Sequence, residues 1–219
     1  MGMIFLLAAC TEPQKTDQKK TTPSSSANIS RTTGTGKKKI ILFFGNSLTA
    51  AYRIDPSKGF VALIQKRIDS LGLNYKTVNA GLSGETTAGG KERIDWLLRQ
   101  PLAIFVLELG GNDGLRGIDP ASSYQNLQSI IDKVKAKYPA TKIILAGMEA
   151  PPNMGQAFTS EFRNIYPRLA KKNELILIPF LLENVAGIPS LNLPDGIHPN
   201  IAGQRIVTEN LWAVLKDLL

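Results

Sequence analysis

The stretch "IILFFGNSLTA", residues 40–50, sets five consecutive apolar, β-prone side chains against an abrupt break at Gly45-Asn46-Ser47. An apolar run of that length ending in small polar residues reads as a strand buried on both faces, as in a parallel sheet. Its C-terminal end then delivers a serine. Outward from this strand, short apolar runs alternate with longer amphipathic ones. The strand candidates are "KIILFF", "KTVNA", "LAIFVLEL", "KIILAGM" and "LILIP". Between and after them lie "FVALIQKRIDSLG", "GKERIDWLLRQ", "SYQNLQSIIDKVKAKY", "TSEFRNIYPRLAKKN" and "AGQRIVTENLWAVLKDLL", several with Leu, Ile or Val at three- and four-residue spacing. Strand and helix in alternation predict β-α units around a mainly parallel, five-stranded sheet.

A chain of 219 residues with 43% hydrophobic content suits one domain with a sizeable core, placed here at residues 39–219. The net charge of +8 is concentrated at the N-terminus. Residues 1–39 hold seven of the 26 basic residues against two of the 18 acidic ones, which leaves 19 against 16, or +3, for the rest. No interleaving of aromatic and basic residues accompanies that excess, so nucleic acid is not the expected partner. Residues 11–38 are rich in Thr, Ser, Lys, Pro and Gly and nearly free of large apolar side chains, the composition of a disordered tether. Residues 1–10, "MGMIFLLAAC", close on Leu7-Ala8-Ala9-Cys10, which resembles the end of a bacterial lipoprotein signal with Cys10 as the lipidated residue. The expectation is a protein anchored to a membrane of the cell envelope through Cys10, with about 30 Å of mean tether reach before the fold begins. Cys10 is the only cysteine, so no internal disulfide is available.

In an open α/β sheet the functional groups gather where the strands run out. After the first strand comes Gly45-Asn46-Ser47. After the second comes "NAGLSGETTAGG" with Gly84, after the third "GGNDGLRG" with Asn112, and before the last helix "DGIHPN" with Asp195 and His198, the only histidine. Each has an ordinary reading: Ser47 as a helix cap, Gly84 and Asn112-Asp113-Gly114 as turns, His198 as an exposed loop residue. Together they put a Ser, an Asp and a His on one sheet edge, the inventory of nucleophilic acyl transfer. The three-residue spacing of Asp195 and His198 would let one helical turn bring the carboxylate to imidazole Nδ1. The G-x-S-x-G elbow is absent, since Leu48, Thr49 and Ala50 follow Ser47.

At these four blocks the chain resembles the SGNH hydrolases, or GDSL esterases, in the branch of thioesterases, lysophospholipases and arylesterases. "GNSLTA", "NAGLSGETTAGG", "LGGNDGLRG" and "LNLPDGIHPN" fall in the family's order across about residues 39–219. The resemblance implies a three-layer α/β/α sandwich and a serine esterase; small ester or lipid substrates and a monomer are the expected partners and state. It implies Ser47 as nucleophile, His198 as general base and Asp195 as its orienting group. The implied oxyanion hole comprises the backbone N–H groups of Ser47 and Gly84 and the side-chain amide of Asn112; no metal or cofactor is implied. Acyl chains of short to medium length are expected, lined by Leu115, Ile118, Pro151, Met154 and Phe158 from the loops after the third and fourth strands. One departure stands out: Asn46 occupies the position where the family usually has Asp, which is expected to preserve loop shape while altering the basicity of the site. A carbohydrate O-deacetylase, a binding-only surface lipoprotein and a flavodoxin-like phosphate-binding module are the alternatives. The last leaves "DGIHPN" without a role.

Overall fold

The structure is a computed structural model that describes residues 36–219. The lipid attachment expected at Cys10 and nearly all of the tether therefore lie outside the described residues.

Five strands, β1 (Lys39–Gly45), β2 (Tyr75–Gly81), β3 (Ile104–Glu108), β4 (Lys142–Ala146) and β5 (Ile176–Ile178), pair in the order β2-β1-β3-β4-β5. Every pairing is parallel. The helices are α1 (Phe60–Ser70), α2 (Thr87–Leu97), α3 (Gly111–Leu115), α4 (Pro120–Lys137), α5 (Gln156–Asn173) and α6 (Ile201–Leu215). Helices α1 and α6 pack together, and α2, α4 and α5 form a second contiguous set. The sheet lies between them, giving the expected three layers. β1 and β3 carry only buried residues from Ile41 and Ile104 onward, as central strands covered on both faces must.

Caps fix where the helices begin. Asp119 accepts from the N–H groups of Ala121 and Ser122 with Pro120 in the first turn, and Asn200 accepts from Ala202 and Gly203. Thr86 caps α2 in the same way, so that helix starts three residues before the "GKERIDWLLRQ" stretch. Helix α3 takes the place of the ordinary turn reading of Asn112-Asp113-Gly114. Its N-cap is Gly110, whose φ of +113° disfavours an L side chain.

From β1 the chain runs to β2 on one side and then returns past β1 to β3 on the other. The strand order therefore reverses between β1 and β3, which is where open sheets of this type bind ligands. Ser47 follows β1 and Asn112 follows β3.

Candidate active site

The loop after β1 is built on a buried carboxylate. Glu108 closes β3 opposite Gly45 in register and is 1% exposed. It accepts from Asn46 N at 3.1 Å, Asn46 Nδ2 at 2.7 Å, Thr49 N at 3.3 Å and Thr49 Oγ1 at 2.7 Å. A Cβ at Gly45 would collide with both Glu108 and Thr49, so glycine is what permits this close packing. Asn46 Oδ1 accepts from Leu48 N at 2.9 Å and closes the turn that carries Ser47. The Asn46 amide thus bridges the Ser47 loop to Glu108. An Asp at that position would set a second carboxylate against a buried one, and the pair would have to hold a proton.

Burial pushes the Glu108 carboxyl up to about 7 from its ordinary 4.5, against donation from Thr49 and Asn46, which favours the charged form. Between those two values the folded state holds a proton that the unfolded chain has released, so stability falls as pH rises from about 4.5 to 7. The loss amounts to about 3 kcal/mol at most, at ~1.4 kcal/mol per pH unit. Urea unfolding should accordingly show a more stable protein at pH 5 than at pH 7.5, and Glu108→Gln should remove most of that difference. An unchanged difference in the variant would reassign the pH dependence to another group.

Ser47, His198 and Asp195 meet across this edge of the sheet. His198 Nε2 lies 2.8 Å from Ser47 Oγ and Nδ1 lies 2.9 Å from Asp195 Oδ2. With the imidazole proton on Nδ1 facing the carboxylate, Nε2 is left to accept from the serine hydroxyl. The helical turn expected at Asp195–His198 is not formed. Gly196 has φ of +70°, and Asp195 Oδ1 instead accepts from the N–H groups of Ile197 and His198, each at 3.0 Å. This Asx-type turn brings carboxylate and imidazole together as a helix would have. Although partial burial opposes the charge, donation from the His198 and Ile197 backbone and the His198 ring lowers the Asp195 carboxyl to about 2. The carboxylate is therefore ionised throughout the neutral range.

The donors expected for an oxyanion come from three loops. The N–H groups of Ser47 and Gly84 meet no acceptor among the described residues. Gly84 has φ of +82° and accepts at its carbonyl from Arg116 Nη2 at 3.2 Å. Asn112 Nδ2 donates to Glu85 O at 3.0 Å, which ties the β3 loop to the residue after Gly84. Next to it, buried Asp113 accepts from Thr87 N, Thr87 Oγ1 and Ser123 Oγ, pinning the N-terminal turn of α3 beneath the site.

A cavity of about 530 Å³ opens at Ser47 and His198, within the size range of small-molecule sites. Its apolar wall comprises Leu115, Met148, Pro151, Phe180, Leu182 and Ile197, and Asn46 and Asn112 also line it. Of the expected substrate residues, Leu115 and Pro151 line this wall. Ile118, Met154 and Phe158 do not. Ile118 N donates to Asp113 O at 3.0 Å behind α3, Met154 turns toward Gly117, and Phe158 stacks on Phe162 with ring centroids 6.0 Å apart. Gly84 lines a neighbouring shallow depression with Ser83, Glu85 and Arg93. The sequence reading missed Phe180, Leu182 and Ile197, and Met148 after β4 as well. The first two follow the β5 run "LILIP", the same strand-end signal that singled out the other loops, and Ile197 lies inside "DGIHPN".

A hydroxyl, an imidazole and a carboxylate in hydrogen-bonded succession, at the switch point of a doubly wound parallel sheet, form the arrangement that serine hydrolases use. The chain belongs to the GDSL-like Lipase/Acylhydrolase family, which matches residues 43–206, and it is a carboxylic ester hydrolase. It is 44% identical over 180 residues to esterase TesA of Pseudomonas aeruginosa, covering 82% of this chain and 89% of that protein. It is 37% identical, over 82% of this chain and 84% of the other, to thioesterase 1/protease 1/lysophospholipase L1 of Escherichia coli K12. A crystal structure of TesA superposes with a TM-score of 0.79 at 43% identity, covering 83% of this chain and all of that one.

Proposed function

We propose that this enzyme hydrolyses esters and thioesters of short to medium acyl chains, lysophospholipids included, through an acyl-enzyme on Ser47. The observation that carries the reading is the unbroken succession Ser47 Oγ to His198 Nε2 and His198 Nδ1 to Asp195 Oδ2, at 2.8 and 2.9 Å, opening on an apolar cavity. Ser47 Oγ attacks the acyl carbon while its proton passes to Nε2. The oxygen of the tetrahedral intermediate accepts from the N–H groups of Ser47 and Gly84 and from Asn112 Nδ2, where the developing charge needs donors. Collapse expels the alcohol or thiol, which takes the proton from Nε2. Water then attacks the acyl-serine with His198 again as base, releasing the acid and restoring the hydroxyl. Asp195, charged throughout, holds the ring and stabilises the imidazolium.

The cavity wall supports the acyl preference. Each methylene buried there contributes about 0.8 kcal/mol, roughly fourfold in kcat/KM. A series of p-nitrophenyl esters from acetate upward should show kcat/KM rising by about that factor per methylene through the short chains, then levelling once the cavity is full. A maximum at acetate, with acetylated glycan turned over faster than any p-nitrophenyl ester, would favour an O-deacetylase instead.

A further inference from the structure

His198 sits in an irregular segment, with no helix or strand to fix its ring plane. Leu193 N donates to His198 O, and the Asp195 carboxylate and Ser47 hydroxyl hold two atoms at the edge of the imidazole. The face of the ring is held elsewhere. Tyr52 lies against it with ring centroids 4.5 Å apart and planes tilted by 41°.

The backbone that places Tyr52 is costly. Ala51 and Arg53, on either side, have φ of +56° and +55°, the left-handed region that non-glycine residues seldom occupy. Such conformations persist where the surroundings over-determine them, and they concentrate at functional sites. Here the determinant is the nucleophile turn itself: Tyr52 N donates to Ser47 O at 3.1 Å, and Ala50 N donates to Asn46 O at 3.0 Å. The Arg53 guanidinium packs over the tyrosine ring at 5.1 Å. The Tyr52 hydroxyl makes no hydrogen bond among the described residues. What the strained turn delivers is an aromatic face.

We propose that Tyr52 is a positioning residue whose ring, anchored by backbone to Ser47, clamps the face of the His198 imidazole so that Nε2 stays aligned with the serine hydroxyl. The inference rests on the acyl-enzyme reading above for its kinetic consequence. Three contacts then fix the imidazole, with Asp195 and Ser47 at its edge and Tyr52 on its face. The clamp and the nucleophile belong to one short turn, so any shift of that turn carries both together. An aromatic face also attracts the imidazolium that forms during the reaction.

The experiment compares Tyr52→Leu, which keeps apolar bulk without the ring, with Tyr52→Phe, which keeps the ring without the hydroxyl. Misalignment of reacting groups by about 1 Å can cost on the order of 10²-fold. Tyr52→Leu should therefore lose roughly 10- to 100-fold in kcat on p-nitrophenyl butyrate with KM within about twofold, while Tyr52→Phe stays near the natural rate. Because the chain has a single histidine, its imidazole signals in NMR are unambiguous and need no turnover. The ring-current shift from Tyr52 should be present in the natural protein and in Tyr52→Phe, and lost in Tyr52→Leu. Wild-type kcat in folded Tyr52→Leu, or a loss in Tyr52→Phe equal to that in Tyr52→Leu, would overturn the proposal. Imidazole signals unmoved by Tyr52→Leu would overturn it without bearing on whether Ser47 is the nucleophile.

Discussion

Ser47→Ala is expected to lower kcat on p-nitrophenyl butyrate by about 10⁴-fold or more while leaving the fold and its unfolding midpoint close to those of the natural protein. The size of the effect follows from the coupling of the three groups. In the proposed mechanism, without Oγ His198 Nε2 would have no nucleophile to deprotonate, and the charge on Asp195 no imidazolium to stabilise. His198→Ala should cost a similar factor, and the double variant little more than either alone, because members of one relay act as a unit. The structural cost is small, since among the described residues Ser47 Oγ hydrogen-bonds only with His198 Nε2 and, at 3.4 Å, Asn46 Oδ1, and the turn is held by the bonds of Asn46 and Thr49 to Glu108. Steady-state kinetics beside urea unfolding of the same preparations checks both halves. A Ser47→Ala variant with near-natural kcat would remove the nucleophile from the account.

The next largest effect is expected at Asn112. Asn112→Ala should lower kcat by about 10²- to 10³-fold with little change in KM, the usual result of removing one donor to a developing oxyanion. The split between kcat and KM matters because Asn112 Nδ2 also donates to Glu85 O, joining the loops after β2 and β3. If the residue only braced those loops, its loss would raise KM and lower the unfolding midpoint together, with kcat little changed. A pure kcat effect assigns it to the oxyanion.

The sheet was legible in the sequence because its central strands are buried on both faces and so appear as unbroken apolar runs, as in "KIILFF" and "KIILAGM". Ser47, Asp195 and His198 were legible for a related reason: the parallel order puts every strand-end loop on one edge, so residues distant in sequence become neighbours without any detail of packing. The failures lie where tertiary contacts decide. Asn112-Asp113-Gly114 has an ordinary turn reading in its composition, yet residues 111–115 form α3, with buried Asp113 held by Thr87 and Ser123 from α2 and α4. The spacing of Asp195 and His198 allows a helical turn, and Gly196 in the left-handed region gives them an Asx turn with the same outcome.

The cavity wall was the least legible part. Met154 and Phe158 are apolar and close in sequence to Pro151, but α5 carries Phe158 onto Phe162 and the core, while Phe180 and Leu182 arrive from the far edge of the sheet. Apolar character alone does not distinguish a wall from a packing contact. Glu108 did carry a signal, as the single charge in the run "LAIFVLEL". Its partners did not, since nothing in the residue pattern says that Asn46 and Thr49 converge on it.

The most direct test of the account is covalent labelling of the purified protein with a fluorophosphonate, followed by mass spectrometry of the modified peptide. The account predicts one adduct per chain, on Ser47, formed with loss of ester hydrolysis and absent from Ser47→Ala. An adduct on another residue, or full hydrolysis of p-nitrophenyl butyrate after complete labelling of Ser47, would contradict it.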